Sequence, residues 1–363
     1  MLLPKNVKKI LLVDDSALMR SVMCDIIDSD ERFKVVDRAV NGKDALDLIL
    51  RKNYDAVILD INMPIMNGVE LLKELRRKKV AVNVMMASTD TLEGAKITMD
   101  CLELGALDFI HKPDNSKLLK EDRFREKFLG ILDAVANAKK DSFSKSAVSL
   151  EDIKSTKKVI ELVSKNASIG RKNQIVAIAS STGGPKALQQ VIPNLPKNLS
   201  CPVVLVQHMP VGFTKSLADR LNEISEIEVK EAAEGDVLLP GHVYISMGGK
   251  HMNIIRRGVS NVIHYTDEPQ REGVKPCANY MFESLRNIPY ESVVCVVLTG
   301  MGCDGTEGVK ALKEVKKIHT IAQEESTCVV YGMPKSIVNK GLADQVVKLG
   351  SIAQEIIMNV GVK

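Results

Sequence analysis

A hydroxyl, an imidazole and a carboxylate stand in the second half of the chain at comparable places, each in a turn that follows an apolar run. Ser181 lies in Ala177-Ile-Ala-Ser-Ser-Thr-Gly-Gly-Pro185, His208 in Gln207-His-Met-Pro210, and Asp304 in Thr299-Gly-Met-Gly-Cys-Asp-Gly305. The small residues around Ser181 let a substrate and backbone N–H donors approach the hydroxyl, which suits a nucleophile. Such a turn also serves as a phosphate cradle or a plain strand-to-helix connection. The chain lacks the third glycine of G-x-G-x-x-G and the Gly-Lys-Ser/Thr ending of a P-loop, which argues against a nucleotide site.

If the apolar runs are strands of one sheet, the three groups fall on loops at one edge. His208 would then take the proton of Ser181, and Asp304 would hold the imidazole tautomer and stabilise its charged form. Backbone N–H groups near the Ser181 turn, at Thr182, and in the Met301 loop are candidate oxyanion donors. Plainer roles stand beside these: His208 packed between its neighbours, Asp304 an ordinary turn residue, and His242, His251, His264 and His319 as competing imidazoles. Cys277 and Cys303 are alternative nucleophiles, but nothing near either in sequence would lower a thiol pKa. Met247, Met252, Met281 and Met301 read as core filler.

The first half carries a different set. Asp14 and Asp15 end one apolar run and Asp60 ends another, so a parallel sheet would gather three carboxylates at its carboxyl edge. At about 4 Å and an effective dielectric near 20, each like-charged pair costs roughly 4 kcal/mol, so the cluster calls for a divalent cation or a proton. Oxygen-only ligands point to Mg²⁺. Ser88 and Lys112 add a hydroxyl and an ammonium after later runs, a set suited to a phosphoryl group on one aspartate.

The elements that must position these groups follow from the pattern. Apolar runs at 10–13, 35–36, 57–59, 82–86 and 109–110 alternate with helical spacing such as Leu18, Val22 and Ile26. This predicts a doubly wound, flavodoxin-like domain of five parallel strands over residues 1–138, closed by a helix at 117–138. Residues 139–172, rich in Lys and Ser, read as a linker with one short helix at 150–163. Runs at 175–179, 203–206, 243–246, 252–255, 262–264, 293–298 and 318–322 predict a second α/β domain over 173–363, a parallel sheet with an antiparallel insertion. With 363 residues, 45% hydrophobic and 26% charged, the chain fits two globular domains. A net charge of +4 without a basic, aromatic-laced stripe argues against nucleic acid. No run is long enough for a membrane span and no signal-peptide core is seen, so a cytoplasmic location is expected. Seven cysteines without C-x-x-C spacing predict reduced thiols rather than zinc or disulfides.

Val13-Asp-Asp-Ser16, Leu59-Asp-Ile-Asn-Met-Pro-Ile-Met-Asn-Gly68, Ser88 and Lys112-Pro113 together resemble the receiver domain of two-component response regulators. The resemblance implies Asp60 as phosphoacceptor, Asp15 as direct Mg²⁺ ligand with Asp14 in support, Asn62 contributing its backbone carbonyl, and Ser88 and Lys112 binding phosphoryl oxygens. Asn67 departs from the usual Asp before the glycine.

The segments at 181–185, 207–210, 249–252, 298–305 and 323–334 resemble the catalytic domain of the chemotaxis protein-glutamate methylesterases. That resemblance implies Ser181 as nucleophile, His208 as base and then acid, and Asp304 as orienting carboxylate. It further implies a cofactor-free hydrolysis of receptor glutamate methyl esters, glutamine deamidation, methylated chemoreceptors as substrate, and a chemotaxis histidine kinase as phosphodonor to a monomeric enzyme. Cys277 and Asn279 replace the usual Ser and Asp, and Ser246-Met247 replaces Ala-Pro; these departures are expected to lie away from the three catalytic groups. The competing reading is a response regulator whose second domain binds receptors without catalysis. A DNA-binding output domain is a further alternative, which salt-dependent duplex binding would reveal.

Overall fold

A computed structural model of the chain describes residues 7–88, 92–112, 122–138 and 173–362. The expected linker, its short helix and the start of the helix at 117 lie outside the described residues. The chain divides into two compact units, 1–147 and 148–363.

In the first unit, strands β1 (Lys8–Val13), β2 (Phe33–Ala39), β3 (Ala56–Asp60), β4 (Val84–Ser88) and β5 (Asp108–His111) form a parallel sheet in the order β2-β1-β3-β4-β5. β3 and β4 are buried throughout, as continuous apolar runs covered on both faces require. One face packs Ile10, Leu12, Met23, Ile27, Phe128 and Leu132 into a single core. Helices fill the crossovers and start on polar caps: Ser16 accepts from Met19 N at the head of Ala17–Asp28, and Asn41 caps Gly42–Arg51. Asn67 caps Gly68–Arg77 in a reciprocal capping box with Glu70, which accounts for this departure, since Asn caps as well as Asp. The order turns back between β1 and β3, so Asp14 and Asp60 flank the crevice at the carboxyl edge.

The second unit is built on seven parallel strands: β6 (Gln174–Ser180), β7 (Val203–Gln207), β8 (Glu228–Glu231), β9 (His242–Ile245), β12 (Ser292–Val297), β13 (Lys317–Gln323) and β14 (Gln345–Val347). Their order is β14-β13-β12-β6-β7-β9-β8. The antiparallel insertion is one hairpin, β10 (His251–Arg257) with β11 (Ser260–Thr266), whose two-residue loop begins at Gly258 with φ 59°. The run at 243–246 belongs to the parallel sheet instead. β8 and β14 have no counterpart in the sequence reading. A core of Tyr244, Met252, Ile254, Phe282 and Leu285 joins the hairpin and helix Ala278–Ser284 to the sheet. The order turns back between β6 and β12, which places the loops carrying Ser181 and Asp304 on either side of the switch point, with the His208 loop next to β6.

Candidate active site

Ser181 follows β6 directly, and two glycines let the chain turn into helix Gly184–Val191. Gly183 has φ 75°, and a Cβ there would meet Val329 Cβ at 2.5 Å. At Gly184 a Cβ would fall 2.0 Å from Gln207 Oε1. Gln207 occupies that space and binds both sides of the turn: Ser180 Oγ donates to its Oε1 (2.7 Å), and its Nε2 donates to Ser181 O (2.9 Å). Ser181 N donates to Thr299 O at 3.0 Å, tying the Ser181 turn to the loop after β12. That loop passes so close that a Cβ on Gly300 would lie 2.8 Å from Ser181 Cβ.

His208, the first residue beyond β7, donates its backbone N–H to Ser180 O (3.1 Å). Its Nε2 lies 2.7 Å from Asp304 Oδ2, with the imidazole 8% exposed. No hydrogen bond joins the Ser181 hydroxyl to His208 among the described residues. Asp304 is held by more than His208: Ala278 N donates to Oδ2 (2.6 Å), while Asn279 N (2.9 Å), Gly305 N (2.8 Å) and the Cys277 thiol (3.0 Å) donate to Oδ1. Burial alone would raise the Asp304 pKa, but the bond and charge of His208 and these donors outweigh it and hold the carboxyl at about 2. Asn279 Oδ1 also accepts from Gly305 N (3.1 Å) and Gly308 N (2.7 Å).

Cys277 and Asn279 therefore contact the Asp304 carboxylate, contrary to the expectation that these departures lie away from it. The two residues sit 27 and 25 positions before Asp304, a proximity that only the tertiary fold creates. Burial and the Asp304 carboxylate push the Cys277 thiol well up, and the Glu272 carboxylate pushes the Cys303 thiol up to about 11, so neither is a thiolate nucleophile near neutral pH. All seven cysteines are free thiols. The competing imidazoles are engaged elsewhere: His242 with Glu228, His264 with Glu234, His319 with Gln345, and His251 between Pro269 O and Cys277 N. Met252 and Met281 are core residues and Met247 is half-buried, but Met301 is 44% exposed and is not core filler. The backbone N–H groups of Thr182 and Met301 have no acceptor among the described residues.

In the first unit Asp14, Asp15 and Asp60 bring carboxylate oxygens within 4.8 Å of one another. Lys112 Nζ lies 2.7 Å from both Asp14 and Asp60. Burial raises the Asp60 pKa against the pull of Lys112. Ser88, the last residue of β4, is fully buried, and Thr98 Oγ1 donates to its hydroxyl (2.9 Å). Asn62 is exposed two residues past β3. At Gly68 a Cβ would lie 2.4 Å from Asp60 O, so only glycine lets the following helix start this close to the acidic strand end. The all-oxygen donor set fits a hard divalent cation of the Mg²⁺ class.

No described helix is long and apolar enough to cross a membrane. The family model for the CheB methylesterase matches residues 176–356, and that for the response regulator receiver domain matches residues 10–122. The protein-glutamate methylesterase/protein-glutamine glutaminase of Bacillus subtilis (strain 168) is 41% identical over 96% of this chain and 97% of its own. Its namesake in Halalkalibacterium halodurans is 40% identical over the same shares. The crystal structure of the Thermotoga maritima CheB methylesterase catalytic domain is 43% identical and covers 52% of this chain and 100% of its own, with a TM-score of 0.50. The chain belongs to the protein-glutamate methylesterase/protein-glutamine glutaminase family of chemotaxis response-regulator enzymes.

Proposed function

We propose that the chain hydrolyses γ-methyl esters of glutamate on chemoreceptors, with Ser181, His208 and Asp304 as the catalytic triad. The observation that carries this reading is the His208–Asp304 bond beside the Ser181 turn at a topological switch point. With Asp304 ionised, Nε2 carries the proton that bonds it, and Nδ1 is the ring nitrogen left to act as base. Ser181 Oγ attacks the ester carbonyl as Nδ1 takes its proton; the C–O bond to methoxide breaks, and the imidazolium protonates it to methanol. Water, deprotonated in the same way, then cleaves the acyl-enzyme and returns Ser181. Asp304 stays ionised throughout, as a carboxyl held near 2 would. The N–H groups of Thr182 and Met301 are the proposed oxyanion donors, supported by their open hydrogen-bonding capacity and the close pass of the 299–301 loop. The same sequence with ammonia as leaving group would deamidate glutamine.

Phosphorylation at Asp60 is the proposed control, with a chemotaxis histidine kinase as donor and the monomeric enzyme working in the cytoplasm. Asp14, Asp15, Asp60 and the Asn62 carbonyl would hold Mg²⁺, which would neutralise the charge of the incoming phosphoryl group. Ser88 and Lys112 would bind the phosphoryl oxygens, Lys112 exchanging its present carboxylate contacts for them.

The direct test is methanol release from methylated receptor membranes. Ser181→Ala should lower turnover by about 10⁴- to 10⁶-fold, as nucleophile removal does. Near-normal release by that variant would overturn the triad.

A further inference from the structure

We infer that Cys277 is a positioning residue for the hydrolysis, its thiol fixing the orientation and charge of Asp304 so that Oδ2 stays turned to His208. The role rests on the triad proposed above. Asp304 has two oxygens with distinct partners: Oδ2 takes His208 Nε2 and one backbone N–H, while Oδ1 takes two backbone N–H groups and the Cys277 thiol. Apart from His208, the thiol is the one side-chain donor on this carboxylate among the described residues. The contact is short for sulfur, at 3.0 Å, and is fully enclosed: Cys277 has no exposed surface and Asp304 only 2%. A thiol in this place must keep its proton, and burial together with the neighbouring carboxylate favours that.

The aim of the thiol is itself set. Cys277 N donates to His251 Nδ1 (3.2 Å), and His251 Nε2 then carries the proton donated to Pro269 O (3.2 Å). Burial favours this neutral form of His251, which leaves Nδ1 able to accept. A buried carboxylate that loses one of five donors is held less tightly on that oxygen and is more basic toward the donors that remain.

The test compares full-length wild type, Cys277→Ala and Cys277→Ser by methanol-release kinetics, urea unfolding and the low-field proton NMR signal of the His208–Asp304 hydrogen bond. Cys277→Ala should lose kcat on the order of tenfold at unchanged KM, as loss of a bond to a charged group would, and its low-field proton should move further downfield. Cys277→Ser, which restores a donor, should return kcat to within about twofold of wild type and bring the proton back. An alanine variant with wild-type kcat and an unmoved proton overturns the role, as does a serine variant as slow as the alanine one. If the alanine variant does not fold, the serine variant decides alone, a tenfold loss counting against. If wild type releases no methanol, the esterase reading fails, and the position of the low-field proton still decides whether Cys277 acts on the pair.

Discussion

Asp304 is an anion in a place where an isolated anion would be costly, and its five donors are what make it tolerable. Its folded pKa, about 2, lies below the ordinary carboxyl value of 3.8. Such a carboxyl contributes stability that is present above pH 3.8 and is lost as pH falls toward 2, worth about 2 kcal/mol at neutral pH. Asp304→Asn turns an N–H₂ toward backbone donors and should lower the unfolding free energy of the full chain at pH 7, read from urea denaturation, by at least that amount. The gap to wild type should narrow below pH 4; a gap independent of pH would mean that the charge of Asp304 is not what the surroundings hold. At this scale Ser181, His208 and Asp304 are legible as candidates, because a hydroxyl, an imidazole and a carboxylate after buried runs are conspicuous. Asn279 and Gln207 carry no sequence signal of what they do, and Cys277 reads there only as an alternative nucleophile, since each binds a group distant in sequence or on a neighbouring strand. In sequence the thiol is a departure from pattern, and only the fold brings it to the carboxylate.

Elements position the groups through their ends. Helix Gly68–Arg77 must begin within contact of the Asp60 strand end, and the Asn67 side chain, bonded to Glu70 N at 2.9 Å, satisfies an otherwise open first turn. Asn67→Ala should therefore destabilise the chain by about 1 kcal/mol, and Asn67→Asp by only a few tenths. Urea denaturation of the three forms checks this, and equal stability of the alanine form would remove the capping box from the account. Strands buried on both faces, such as β3, β6 and β7, were legible because they read as unbroken apolar runs. β8, Glu-Val-Lys-Glu, and β14, Gln-Val-Val, were not: both are short edge strands with one open side, where burial leaves no continuous signature. β4 runs two residues later than its apolar run begins, which brings Ser88 into the strand end rather than beyond it.

Across the whole molecule the two chemistries are separable. The acidic cluster draws on residues between Asp14 and Lys112, whereas the bonds around Ser181, His208 and Asp304 come from residues between Ser180 and Val330. If Asp60 is the phosphoacceptor proposed above, removing it should leave hydrolysis intact and abolish only its control. Asp60→Asn should release methanol at the unstimulated wild-type rate, and acetyl phosphate with Mg²⁺ should accelerate wild type but not the variant. The order of the motifs makes this division legible in sequence, while the size of the response depends on how a phosphoryl group shifts the balance of two states, which no local pattern encodes. A chain beginning at Lys172 sharpens the argument. If the unphosphorylated receiver inhibits, that chain should exceed unstimulated full-length enzyme and ignore acetyl phosphate. Equal basal rates would confine the receiver to another task, and stimulation of Asp60→Asn would place the phosphoacceptor elsewhere.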